Sequence, residues 1–197
     1  MPNLRTALAD ATARLGQSDT AALDAQLLLA HVLGKTRTWL YTWPAHELDT
    51  AQINALEALV SRAEKGEPVA YLTGKRAFWT MTLEVTPAVL IPRPETELLV
   101  ELALEVGKAL PGPVADLGTG SGAIALALAS ERSDWQLHAT DLSEAALEVA
   151  RANATRLGFT NVQFLQGSWC EPLPSAYYSL IVSNPPYVAD DDPHLPA

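Results

Sequence analysis

The sequence predicts an α/β chain: a small N-terminal helical bundle, a β-hairpin linker and a doubly wound parallel sheet. Three observations predict it. Residues 4–64 carry apolar side chains at helical spacing, residues 77–92 switch to alternation, and from residue 114 short apolar strands alternate with amphipathic helices. Strands separated by helices imply parallel pairing, because a parallel neighbour needs a crossover. The expected division is 1–70 for the bundle, 71–92 for the hairpin linker and 93–197 for the sheet domain.

In the bundle, Leu4, Leu8, Ala11 and Leu15 keep one face of a first helix. "DTAALDAQLLLAHVLG" is a second helix that stops at Gly34, a residue suited to the left-handed conformation after a helix end. "TWLYTW" predicts a short helix that packs its aromatics into the bundle. "DTAQINALEALVSRAEKG" opens with Asp49 and Gln52 in capping-box spacing and stops at Gly66. "AFWTMTLEVTPAVLIP" alternates and is β-rich, as a hairpin requires. "RPETELLVELALEVGKAL" is a helix opened by Pro92 and Pro94, and "PGP" at 111–113 marks a boundary. The strands of the parallel series fall at about 114–117, 137–141, 162–166 and 179–183. Between them lie "AIALALASER" and "SEAALEVARANATRLG", the latter with Ser143 at its N-cap and Gly158 past its end.

Composition narrows the class of function. With 48% hydrophobic and 18% charged residues, 197 residues can bury a substantial core. The N-terminus has charges and no apolar signal segment, and no apolar run is long enough for a membrane span, so neither is expected. Cys170 stands alone, which excludes an intrachain disulfide and makes a reducing cytoplasm the default. His31, His46, His138 and His194 lack metal-ligand spacing, and no metal site is expected. The net charge of −10 is uneven: residues 1–75 carry −1 and residues 76–197 carry −9. Binding to nucleic-acid phosphates needs basic clusters, and the second half has the opposite balance.

The first strand of the series runs into Gly118-Thr119-Gly120-Ser121-Gly122. Glycines let the chain turn sharply and let a ligand approach the main chain, and in such sheets ligands bind at the carboxyl ends of the strands. The next strand ends in Asp141, whose carboxylate can accept both ribose hydroxyls of a nucleoside. A nucleoside-containing cofactor follows, of two kinds. With Ala123 in the last place, the loop fits the dinucleotide fingerprint. It equally fits the glycine motif of S-adenosyl-L-methionine (SAM) methyltransferases, and Asp116 would suit the ammonium of a methionine moiety better than a pyrophosphate.

The last strand separates these readings. It ends in Asn184-Pro185-Pro186-Tyr187, at the carboxyl end of the strand expected beside the first. An amide or exocyclic amine nitrogen is a weak nucleophile, because its lone pair is delocalised. It must be held with that lone pair aimed at the methyl. Asn184 can accept one N–H of such a group, the Pro185 carbonyl can accept the other, and proline fixes φ so that the carbonyl is aimed in advance. Tyr187 offers a flat face to a planar group. The stretch reads as a clamp that works by orientation.

The combination of "ADLGTGSGAIALALA", "ATDLSEAALEVARANA", "GSWCEPL" and "SNPPYV", preceded by "YLTGKRAFW" and "LIPRPETE", resembles the peptide chain release factor glutamine methyltransferases, the HemK/PrmC-like family. The resemblance runs along the whole chain. It implies a helical N-terminal domain for substrate recognition, a hairpin, and a Rossmann-like SAM domain. The implied reaction is methylation of the side-chain nitrogen of glutamine in the Gly-Gly-Gln motif of class I release factors, giving N5-methylglutamine. Carried over by motif, Gly118, Thr119, Gly120, Ser121 and Gly122 would hold the methionine part of SAM and Asp141 the ribose, with Trp169 beside the adenine. Asn184 would touch cofactor and substrate, and Asn184, Pro185, Pro186 and Tyr187 would form the catalytic clamp. Residues 93–97 lie near the active site in that family.

Three other readings share some of these features. A ribosomal-protein glutamine methyltransferase would use the same clamp and loop. An adenine-N6 DNA methyltransferase uses a similar clamp on a flipped base, but the −9 charge of residues 76–197 offers no basic channel. A non-catalytic SAM-binding module would not need the clamp. A monomer is expected. Because the related sheets have seven strands and four are counted here, the sequence is also expected to be an incomplete copy of a longer enzyme. Ile181 and Val182 would then lie on a strand with one side uncovered.

Overall fold

A computed structural model describes residues 2–110, 112–174 and 177–185. The chain divides into two compact units, residues 1–74 and 75–197.

The first unit is helical: α1 (Leu4–Arg14), α2 (Ala21–Leu33), α3 (Arg37–Thr42), α4 (Thr50–Ala63) and α5 (Val69–Thr73). The start of α4 is the capping box that the spacing predicts: Asp49 accepts the Gln52 N–H at 2.8 Å, and the Gln52 side chain accepts the Asp49 N–H at 3.0 Å. Gly34 ends α2 with φ 60°, where an L side chain would be strained. Leu4, Leu28, Leu29, Leu40, Leu48 and Val60 form the centre of this core. Two points differ from expectation. The helix α5 lies where the sequence pattern already changes. In α3 the aromatics do not all pack inward: Leu40 is buried and Trp39 packs on the core, while Tyr41 and Trp43 are 63% and 56% exposed.

The second unit begins with the hairpin β1 (Lys75–Phe78) and β2 (Met81–Glu84), paired antiparallel. Phe78 and Leu83 are buried in the same core as the parallel sheet, so the hairpin belongs to this unit rather than standing as a separate linker. Its two-residue turn has no Asn-Gly or Asp-Gly signal. Instead Trp79 takes φ 55°, and two carboxylates hold it there: Glu97 Oε1 accepts its main-chain N–H at 2.9 Å and Glu131 Oε1 its indole N–H at 2.8 Å.

Then come α6 (Thr96–Gly107), β3 (Val114–Leu117), α7 (Ala123–Glu131), β4 (Leu137–Asp141), α8 (Glu144–Leu157), β5 (Val162–Gln166) and β6 (Leu180–Ser183). The sheet is parallel with order β5-β4-β3-β6, so β6 pairs with β3, as the clamp reading requires. The β3 strand is buried along its length, and α7 is apolar all round and buried from Ala123 to Ala129. The α6 helix packs on α7 and β6, and α8 packs on β4, β5 and β2. Ser143 caps α8 and Gly158 ends it with φ 80°, both as expected. Among the described residues β6 has one strand neighbour. Ile181 on it is 50% exposed, whereas Val182 is buried in the core.

Candidate active site

Strand β3 delivers the glycine loop to the carboxyl end of the sheet. Gly118 (φ 71°) and Gly120 (φ 57°) sit in left-handed backbone, and a Cβ added at either would meet no protein atom within 4 Å. Both line a cavity of about 460 Å³. The loop is therefore a cradle whose open side any side chain would obstruct. The end of β4 holds it in place. The Thr140 carbonyl accepts the N–H groups of Gly118 and Thr119, each at 2.9 Å. Asp141 Oδ2 accepts the Gly120 N–H at 2.8 Å and its Oδ1 the Ser143 N–H at 2.9 Å.

Not every residue of the motif faces that cavity. Thr119, Ser121 and Gly122, expected as cofactor ligands, lie outside its lining. Thr119 Oγ1 donates to Asp116 Oδ2 at 2.6 Å. The Ser121 carbonyl accepts from Asn153 Nδ2 at 3.0 Å. A Cβ on Gly122 would approach Leu126 Cδ1 to 3.1 Å and Ala150 Cβ to 3.3 Å, so this glycine lets α7 pack closely. These three residues shape the loop from behind. Asp116 is fully buried and also outside the lining, contrary to a direct role at a ligand ammonium. Its Oδ2 further accepts the Ala125 N–H at 3.2 Å, while its Oδ1 has no hydrogen-bond partner among the described residues. Burial pushes its carboxyl up to about 6, against the two hydrogen bonds.

Trp169 follows β5 with φ 50°, and its carbonyl accepts the Thr140 hydroxyl at 2.9 Å. Its indole is 59% exposed and forms part of the cavity wall, with Leu142, Ser143 and the stretch 88–90 that continues from the hairpin. Asn184 and Pro185 close the wall from the end of β6. The Ser183 hydroxyl donates to the Leu117 carbonyl at 2.8 Å and fixes the end of β6 against β3. Asn184 also lines a second cavity, of about 610 Å³, with Arg93, Glu95, Thr96, Leu98, Leu99 and Leu102. No other described residue lines both. Pro186 and Tyr187, the rest of the expected clamp, lie outside the described residues.

Sequence reasoning left two contributors without a role. Thr96, in the "RPETE" stretch, accepts the Asn184 side-chain N–H at 3.1 Å. Asn153 is completely buried on α8 and joins the hairpin to the glycine loop. An asparagine is a poor interior helix residue, and its place on the buried face was the available signal.

Comparison with known proteins places the chain. Residues 6–74 match the PrmC N-terminal domain and residues 94–195 the methyltransferase small domain. The release factor glutamine methyltransferase of Vibrio cholerae is 52% identical over 195 residues, which are 98% of this chain and 68% of that protein. Those of Coxiella burnetii and Escherichia coli are 51% and 46% identical, over 90% and 95% of this chain and 65% and 68% of theirs. The chain thus spans about two thirds of the length of these curated relatives. The methyl donor of such a domain is SAM, and the site fits it: the cradle is open where a ligand would approach the main chain, a carboxylate stands at the end of β4, and an apolar ring flanks the cavity. The chain belongs to the release factor glutamine methyltransferase family.

Proposed function

We propose that this chain methylates the side-chain amide nitrogen of glutamine in the Gly-Gly-Gln motif of class I peptide chain release factors, forming N5-methylglutamine in support of translation termination. The observation that carries the reading is the position of Asn184, in the wall of both cavities. The cavity beside the glycine loop takes the cofactor. The one beside α6 admits the substrate side chain, and the two meet at the clamp. The helical unit recognises the protein substrate. Its match to a PrmC N-terminal domain supports that role.

In this reading Gly118 and Gly120 cradle the methionine part of the cofactor, Asp141 accepts its ribose hydroxyls and Trp169 flanks the adenine. Bound SAM supplies an electrophilic methyl group on a sulfonium. Asn184 accepts one N–H of the substrate amide through its side-chain carbonyl and Pro185 accepts the other through its main-chain carbonyl. Pro186 and Tyr187 complete the clamp. Both N–H groups are then fixed in the amide plane, and the nitrogen lone pair projects out of it. Methyl transfer from the sulfonium to that nitrogen would leave one extra proton on it, which would pass to solvent. Orientation carries the catalysis, and no strong base is required.

The partner is a release factor rather than nucleic acid, which the −9 charge of residues 76–197 supports. We place the protein in the cytoplasm, as a monomer. The test is to incubate it with labelled SAM and a release factor, with and without Gln→Ala in the Gly-Gly-Gln motif. Label on that glutamine, located by mass spectrometry and lost in the variant, is the expected result. Label on a ribosomal protein or on adenine instead would overturn it. Asn184→Ala should lower the rate at least ~10²-fold, the scale of one lost, well-aligned polar contact at a reacting centre.

A further inference from the structure

We propose that Thr96 is a positioning residue for Asn184. Its hydroxyl accepts the Asn184 side-chain N–H and so anchors that amide in the cavity wall, with the nitrogen end turned to Thr96. The inference rests on the clamp role given to Asn184 above.

The two ends of an asparagine amide are alike in shape and opposite in hydrogen bonding. A clamp for a substrate NH₂ works only with the carbonyl end presented, since the reverse setting places NH₂ against NH₂. A hydroxyl can meet either end of an amide, so what matters is the setting in which the pair is held. In the structure Asn184 Nδ2 donates to Thr96 Oγ1 at 3.1 Å, a contact across 88 residues of sequence. With the nitrogen end directed at Thr96, Oδ1 lies on the other branch of the planar group.

Thr96 is well placed to hold this setting. It is 9% exposed, so water competes little for its hydroxyl. It is the first residue of α6, and its N–H donates to the Arg93 carbonyl at 3.1 Å. Its neighbour Glu97 accepts the Trp79 N–H at 2.9 Å, which ties the first turn of α6 to the hairpin tip. Threonine is also β-branched, with few χ1 settings. The hydroxyl is thus held on a rigid element, while Asn184 sits in the segment after β6. Thr96 lines the same 610 Å³ cavity as Asn184, so the contact forms part of the wall that the substrate side chain would meet.

The experiment uses the 197-residue chain, labelled with ¹⁵N. The Asn184 side-chain NH₂ resonances are the pair that vanishes in Asn184→Ala. In Thr96→Val, which keeps the shape and removes the hydroxyl, that pair is expected to move upfield and exchange faster with solvent. In Thr96→Ser it should keep its wild-type position. With a release factor as substrate, Thr96→Val is expected to lower kcat about tenfold, the scale of one hydrogen bond. KM for SAM should stay unchanged, and Thr96→Ser should restore kcat. If valine disturbs the start of α6, Thr96→Ala removes the hydroxyl without added bulk and gives the same readings. An Asn184 pair unmoved by loss of the hydroxyl, or an unchanged kcat, overturns the inference. A wild-type chain that transfers no methyl would instead count against the functional reading, and the NH₂ pair would still decide the role of Thr96.

Discussion

Asp141 Oδ2 accepts the main-chain N–H of Gly120 at 2.8 Å, so the acid at the end of β4 and the middle glycine of the loop form one unit. The other oxygen accepts the Ser143 N–H and holds the start of α8. A carboxylate has about four lone-pair sites. Two are used within the protein, and the other two can take the hydroxyls of a ribose. The same group thus shapes the cradle and, in the proposed role, keeps two lone-pair sites for what the cradle would hold.

Asp141→Ala is accordingly expected to weaken SAM binding by ~1.5–3 kcal/mol, the range for hydrogen bonds to a charged group. Asp141→Asn should weaken it as well, because its NH₂ must face the N–H of either Gly120 or Ser143. Titration calorimetry reads both. Unchanged affinity in the alanine variant would remove Asp141 from the ribose site, and tight NADH binding by the wild type would favour the dinucleotide reading of the loop.

Asn153 uses its whole amide. Oδ1 accepts the Glu84 N–H at 2.7 Å and an Arg156 N–H at 3.1 Å, and Nδ2 donates to the carbonyls of Glu84 at 2.9 Å and Ser121 at 3.0 Å. It joins the strand that leads to the 88–90 wall of the cavity to the loop on the other side. Asn153→Ala would leave main-chain groups of Glu84 and Ser121 without this partner, and a loss of ~2–4 kcal/mol in folding stability is expected from the cost of unsatisfied groups in a network. Urea unfolding measures it. A midpoint within error of wild type would show that solvent replaces these bonds.

What could be read from the sequence was what depends on near neighbours. The Asp49–Gln52 box, the Ser143 cap and the helix ends at Gly34 and Gly158 each involve residues a few positions apart, and the structure has all of them. Parallel pairing of the strands followed from the alternation with helices, and the fourth strand was expected beside the first. Contacts across long separations were not legible. The positive φ of Trp79 rests on Glu97 and Glu131, and part of the crowding that suits a glycine at 122 comes from Ala150 on another helix. Apolar identity also misled: Tyr41 and Trp43 looked like core residues, yet large apolar side chains are common on protein surfaces.

The glycines of the loop should separate binding from stability. Gly118→Ala adds a Cβ in open space on the cavity side, with a backbone strain of ~1 kcal/mol for an L residue in the left-handed region. Its main effect should be on SAM affinity. Gly122→Ala meets the same backbone strain and also presses on Leu126 and Ala150, so overpacking adds ~1–3 kcal/mol. Its main effect should be on the unfolding midpoint. Calorimetry and urea unfolding on both variants check the contrast, and equal losses of affinity in the two would refute it.

Asp116 gives the fold a specific pH dependence. Its buried carboxyl keeps its proton up to about pH 6, whereas the unfolded chain releases it near the ordinary value of 3.8. Between those values the folded state binds more protons than the unfolded state, so stability falls as pH rises. This contribution is fully present below the lower value and lost as pH passes through the upper one. About two pH units correspond to roughly 3 kcal/mol. Asp116→Asn removes the titration, keeps an oxygen for the Thr119 hydroxyl and the Ala125 N–H, and places an NH₂ where Oδ1 has no partner. Exposed carboxylates such as Glu64 and Glu67, which arginines hold below their usual range, act with the opposite sign but are common to both proteins. The stability of the wild type minus that of the variant, from urea unfolding between about pH 4 and 7.5, is therefore expected to decline across the window and level off above it. A difference that stays flat would show that Asp116 ionises at its ordinary pH, and that the enclosure around its Oδ1 is not as dry as the fold makes it.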